Sequence, residues 1–127
     1  MNLPCFSNTP GAVAIDLDGT LLDSNAKLSD RNRAAVNRCL ENGLPIITAT
    51  SRPERSIRRV IGNELANNCS LVMLNGAVAR AAPPLSGFIK EALPSAVVES
   101  ILKLILNIES EVHLLIELEG HEFGLYQ

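Results

Sequence analysis

The chain has 127 residues, the length of one domain or of one domain and part of a second. Hydrophobic residues make up 46% and charged ones 20%, a balance that excludes a disordered chain and fits a soluble globular one. A net charge of −3, with aromatics at 3% and no Trp, argues against nucleic acid as a partner, whether held by its backbone or by stacked bases.

The opening MNLPCFSNTPG has neither the basic start nor the apolar core of a signal peptide. Residues 12–17 read as an apolar strand buried on both faces. Ser29 is expected to cap a helix, with Asp30 in the first turn where the helix dipole favours an acid. Ala35, Val36, Cys39 and Leu40 give that helix its apolar stripe, and Gly43 its stop. Residues 45–49 (PIITA) make a second short strand. Pro53 opens another helix, in which Ile57, Val60, Ile61 and Leu65 recur at helical spacing. Residues 70–74 (SLVML) form a third strand, ended by Asn75 and Gly76. This alternation predicts right-handed parallel crossovers and a doubly wound α/β sheet.

The texture changes at residues 81–84 (AAPP), read as a hinge. Leu93, Val97, Ile101, Ile105 and Ile108 then step along a helix. Residues 112–118 and 123–126 read as strands around the turn Glu119-Gly120-His121-Glu122. A helix and two strands enclose too small a core, so the second module reads as unfinished. The expected division is a leader at 1–11, a core segment at 12–82 and a second module at 83–127. The run ILKLILNI is short and contains Lys103, so no membrane span is expected. Cys5, Cys39 and Cys69 lie far apart with no C-x-x-C pair, which suits reduced thiols and a cytoplasmic location.

Ligands of a doubly wound sheet bind at the carboxyl ends of its strands. Three features converge there: Asp16 and Asp18 after the first strand, Thr50 and Arg52 after the second, Asn75 and Gly76 after the third. An unpaired buried carboxylate is costly, so Asp16 and Asp18 require a metal ion, a hydrogen-bonded turn or plain exposure. Two hard oxygen donors suit magnesium, and a metal-bound carboxylate can attack phosphorus to give an aspartyl-phosphate. Gly19 and Thr20 let the backbone turn tightly and present N–H groups to the transferred group. The plainer alternatives are a capping or turn pair for the two acids, a β-branched strand residue for Thr50 and an ordinary turn for Asn75. Asp23 reads as a surface turn, and Arg55, Arg58 and Arg59 as a solvated helix face. His113 and His121, with Glu117, Glu119 and Glu122 nearby, match no metal-ligand spacing.

The run DLDGTLLD resembles the first motif, D-x-D-G-T, of the haloacid dehalogenase superfamily, and ITATSRP resembles the second. Over residues 12–126 the chain is similar to the Cof-type phosphatases of that superfamily, whose cap is inserted after the third strand. The resemblance implies a Rossmann-like parallel core followed by the first part of an α+β cap. It further implies Asp16 as nucleophile and Asp18 as general acid, then base. Thr50, Arg52, Gly19, Thr20 and Asn75 would contact phosphate or substrate, and Asp16 with the Asp18 backbone carbonyl would hold Mg2+. An acid at position 18 favours transfer to water or to a sugar hydroxyl, the substrate being a sugar phosphate or similar small phosphorylated metabolite. A phosphomutase and a non-catalytic fragment or interaction module are the alternatives. Ser51 stands where the family usually has Gly, and the sequence reaches neither the family's lysine motif nor its acidic pair. It therefore reads as an N-terminal portion, inactive as a phosphatase alone and self-associating through exposed sheet edges.

Overall fold

A computed structural model describes residues 10–108, 113–118 and 121–126. Two compact units divide after Lys90, so the hinge-like residues 81–84 lie inside the first unit.

The first unit is built on a five-stranded sheet in the order β1-β2-β3-β4-β5. Strands β1 (Val13–Asp16), β2 (Ile46–Ala49) and β3 (Ser70–Met73) run parallel. Helix α1 (Asp30–Glu41) connects the first two, and α2 (Glu54–Ile61) with α3 (Asn63–Asn68) connects the next two. Strands β4 (Val78–Arg80) and β5 (Phe88–Lys90) extend the sheet as an antiparallel hairpin.

Register explains which side becomes the core. Val13 pairs with Ile46, Ile15 with Thr48 and Thr48 with Leu71, so these side chains share one face. That face meets Val36 of α1, Ile57 and Ile61 of α2, and Leu65 of α3 in a single apolar cluster. On the opposite face Ala14 and Ala49 are exposed and Ile47 and Val72 only half-buried. The described sheet is thus covered on one side. Its strand order contains no reversal, and crossovers of one hand then place successive helices on the same face.

Three readings are corrected in detail. The first strand is shorter than residues 12–17 and is not buried on both faces: it lies at the sheet edge and alternates between half-buried and exposed residues. The helix opened by Pro53 is not continuous, because Gly62 adopts φ +89° and separates α2 from α3. Pro53 itself is the N-cap, one residue before the first helical position. The β4–β5 hairpin has strands of three residues, too short to show a period. Ser70 Oγ accepts from Ala82 N–H at 3.0 Å, tying the end of the hairpin's first arm to β3.

In the second unit α4 spans Ser95–Ile108 and buries none of its residues, while β6 (His113–Leu118) and β7 (His121–Tyr126) form an antiparallel pair. His121 starts β7 rather than sitting in a turn. The register sets His113 opposite Tyr126 and His121 opposite Leu118, so the two histidines lie at opposite ends of the ribbon. Residues 119 and 120, the start of the expected turn, lie outside the described residues.

Candidate active site

The parallel register brings the three predicted positions to one level: Asp16 pairs with Ala49, and Ala49 with Val72. Thr50 follows Ala49 directly, and its N–H donates to Val72 O at 3.0 Å. Past β3 the chain turns at Leu74–Gly76, with Asn75 in the left-handed region at φ +55°. Leu74 N–H donates to Arg52 O and Asn75 N–H to Thr50 O, each at 3.4 Å, so the loops after β2 and β3 are joined through their backbones.

After β1 the backbone makes one wide turn, Leu17–Leu21, closed by Leu22 N–H donating to Leu17 O at 2.8 Å. Leu17, Leu21 and Leu22 are buried and anchor the turn from below. Gly19 supplies the positive φ of +73° that the turn needs at its tip. Asn32 Nδ2 of α1 donates to Leu21 O at 2.8 Å, pinning the turn's far end. Asp23 accepts from the N–H groups of Asn25 and Lys27, both at 2.9 Å, which makes it the organiser of a surface turn.

Of the three remedies for the acids, plain exposure is observed, and Asp18 has in addition a charged partner that was not among them. Asp16 and Asp18 are exposed, and Asp18 is also paired. Arg52 Nε donates to Asp18 Oδ2 at 2.8 Å and Nη2 to Oδ1 at 2.6 Å, a two-pronged contact across strands β1 and β2. The remaining terminal nitrogen, Nη1, donates to Ser56 Oγ of α2 at 2.9 Å. The hydrogen bonds from Arg52, reinforced by its charge, hold the Asp18 carboxyl below its ordinary range, with partial desolvation opposing. Arg52 is raised in turn by the same partner.

Thr50 is buried, and its hydroxyl accepts from Arg52 N–H at 3.2 Å while keeping its own proton to donate. Asn75 is exposed at the same edge. Thr20 borders a groove of about 210 Å3 shared with Val13, Ile15 and Asn32. Ser51 is exposed and is not among the residues of positive φ, so its position does not require glycine. Arg58 is not merely solvated: its Nε and Nη2 donate to Glu54 Oε1 at 3.0 and 2.6 Å, and its Nη1 to Asn67 Oδ1 at 2.9 Å. Ser56 and Asn32 escaped sequence reasoning. The signal for Ser56 is its place four residues after Arg52, one helical turn on.

Residues 13–126 match the family of haloacid dehalogenase-like hydrolases, and the chain belongs to that family. It is similar to the 5-amino-6-(5-phospho-D-ribitylamino)uracil phosphatase of Bacillus subtilis strain 168, with 32% identity over 65 residues, 51% of this chain and 26% of that protein. A haloacid dehalogenase-like hydrolase from B. subtilis superposes with a TM-score of 0.69 and 26% identity, over 84% of this chain and 36% of that one. A phosphatase of the same superfamily from Bacteroides thetaiotaomicron shares the fold, with a TM-score of 0.73 at 23% identity over 97% of this chain and 44% of that one. The chain thus spans less than half the length of each of these relatives.

Proposed function

We propose that the carboxyl edge of β1–β3 is the nucleophile side of a magnesium-dependent phosphate monoester hydrolase, acting on a sugar phosphate or similar small metabolite. One observation carries the reading: the register that levels Asp16 with Ala49 and Val72 gathers two exposed acids, a threonine and an arginine at a single edge. In a haloacid dehalogenase-like hydrolase that edge is suited to phosphoryl transfer. The name of the B. subtilis relative specifies a phosphorylated ribitylamino compound, which is of the proposed size and class.

In this reading an Asp16 oxygen attacks phosphorus while the bond to the leaving oxygen breaks, forming an aspartyl-phosphate. Asp18 gives the departing oxygen a proton, then accepts one from the water that hydrolyses the acyl phosphate. The Thr50 hydroxyl and the Arg52 guanidinium hold phosphoryl oxygens, with the N–H groups around Gly19 and Thr20 assisting. Asn75, exposed beside them, is placed to contact the rest of the substrate.

Among the described residues no three His, Cys, Asp or Glu side chains cluster as a metal site. Magnesium commonly takes only one or two carboxylates and completes its shell with water and substrate phosphate. The Asp16 carboxylate and the Asp18 backbone carbonyl fit that partial set, since the Asp18 carboxylate is engaged by Arg52. Bound there, magnesium supplies positive charge to the phosphoryl oxygens. A cytoplasmic location, consistent with the free thiols of Cys39 and Cys69, and self-association through sheet edges complete the proposal.

The test is capture of an acyl-phosphate mimic. Beryllium fluoride with magnesium should give a bound fluorine NMR signal in the native chain, and none after Asp16→Asn or with magnesium withheld. A signal that survives Asp16→Asn removes Asp16 as nucleophile.

A further inference from the structure

We infer that Arg52 is a phosphate-binding residue that changes partners: without ligand it holds the Asp18 carboxylate, and an arriving phosphoryl group takes the guanidinium fork away. The inference rests on the phosphatase reading of this edge and adds to it a conformational step at Asp18.

Both Asp18 oxygens accept from Arg52, at 2.8 and 2.6 Å, so the fork fixes the carboxylate toward the loop after β2 and leaves each oxygen spare acceptor capacity only away from it. Opening the pair frees the carboxylate to turn toward a leaving group. The opening is favoured by chemistry, because a guanidinium fork offers parallel N–H donors that fit a phosphoryl edge as well as a carboxylate. A phosphate dianion carries more charge than one carboxylate and competes well for the fork. The pair is also partly solvated, with side-chain exposures of 24% for Arg52 and 48% for Asp18, and exposed ion pairs contribute little to stability.

The two partners are not equally free to move. Arg52 is fixed at three points: Nη1 by Ser56 Oγ at 2.9 Å, its N–H by Thr50 Oγ1 at 3.2 Å, and its carbonyl by Leu74 N–H at 3.4 Å. Asp18 sits beside Gly19 at the tip of the wide turn and is the more exposed of the two. Release consequently displaces the acid, while the arginine stays beside Thr50 to receive phosphate. Ser56 is then the anchor that keeps the fork aimed at this edge.

The experiment is an orthophosphate titration of the full chain without metal. It is followed by calorimetry and by NMR of the arginine Nε–H signals and the Asp18 carboxyl carbon. Arg52→Lys identifies the Arg52 signal by its loss. Arg58 serves as the internal reference, since its Nε–H bonds to Glu54 Oε1 at 3.0 Å away from this edge. The expected result is that the Arg52 and Asp18 signals shift together with the calorimetric midpoint while Arg58 stays still. Arg52→Lys, which offers a point charge in place of the planar fork, should weaken binding on the order of tenfold. Saturable phosphate binding with Arg52 and Asp18 unmoved overturns the partner change and leaves the phosphate site standing. Absence of binding overturns both.

Discussion

Cys69 ends α3 with 1% of its surface exposed, and burial pushes its thiol up to about 11, with the Arg80 charge opposing. The native state therefore retains a proton that the unfolded chain releases near the ordinary value of 9.0. An acid with a raised folded pKa stabilises nothing below its unfolded value and costs stability as pH rises from about 9 to about 11. The loss is on the order of 2 kcal/mol for such a shift. Urea midpoints measured across that window should fall less steeply for Cys69→Ala than for the native chain; parallel slopes would remove the thiol from the account. At this scale the sequence was readable where chemistry leaves a local pattern. Asp16, Asp18, Thr50 and Arg52 follow one another closely around two strand ends, and the structure gathers those ends at one edge. The Asp18–Arg52 contact was not readable, because it joins residues 34 positions apart and no periodicity reports a side-chain pairing. Thr20 shows the reverse limit. Its place in the motif says nothing of the groove that it borders.

Elements whose ends carry their own chemistry were the most legible. In α1, Ser29 Oγ accepts from Asn32 N–H at 3.1 Å, satisfying one of the donors that a helix start leaves unpaired. At the other end Gly43 takes φ +71°, its N–H donates to Leu40 O, and Leu44 N–H donates to Cys39 O, both at 2.9 Å. Ser29→Ala should cost about 1 kcal/mol, the usual effect of losing such a cap. Denaturation should show this as a lower midpoint with an unchanged slope; an unaltered midpoint would mean that the cap bond adds nothing. The Gly62 break was harder to see, since the apolar spacing of Ile57, Ile61 and Leu65 runs straight across it. Its cause lies partly outside the segment: Arg33 Nη1 of α1 donates to Ile61 O at 3.0 Å, satisfying a carbonyl that the broken helix exposes. The β4–β5 hairpin went unread for a different reason. Proline and alanine between its arms look like a linker, and only long-range pairing to β3 makes residues 78–80 a strand.

For the whole molecule, the described sheet leaves one lateral edge of β1 unpaired and one face thinly covered. An unpaired edge offers N–H and C=O groups to another chain, and the groove along it is lined by Ile15, Val36 and Ile46 among others. Phe88 and Ile89 of β5, at the opposite edge, are 64% and 58% exposed. Self-association is the expected outcome, with solution mass above the 13.6 kDa of one chain. Ala14→Lys places a charge on the exposed side of β1 without entering the core, and should move the mass toward the monomer by light scattering. A native chain that is monomeric at high concentration would contradict this. The parallel order of three strands was legible from the alternation of apolar runs and helices. The covering of only one face was not, because strand order is set by pairing rather than by local pattern.

The backbone bonds from Leu74 and Asn75 to Arg52 and Thr50 make the loops after β2 and β3 behave as a fixed jaw. Across from it, the tip that carries Asp18 is joined to that jaw by a side-chain ion pair. On the proposed phosphatase reading, closing on a substrate is then an asymmetric grip. In that reading the half that carries Thr50 and Arg52 stays true to the sheet, while the acid on the opposing jaw travels, pivoting at a glycine outside the paired residues of β1.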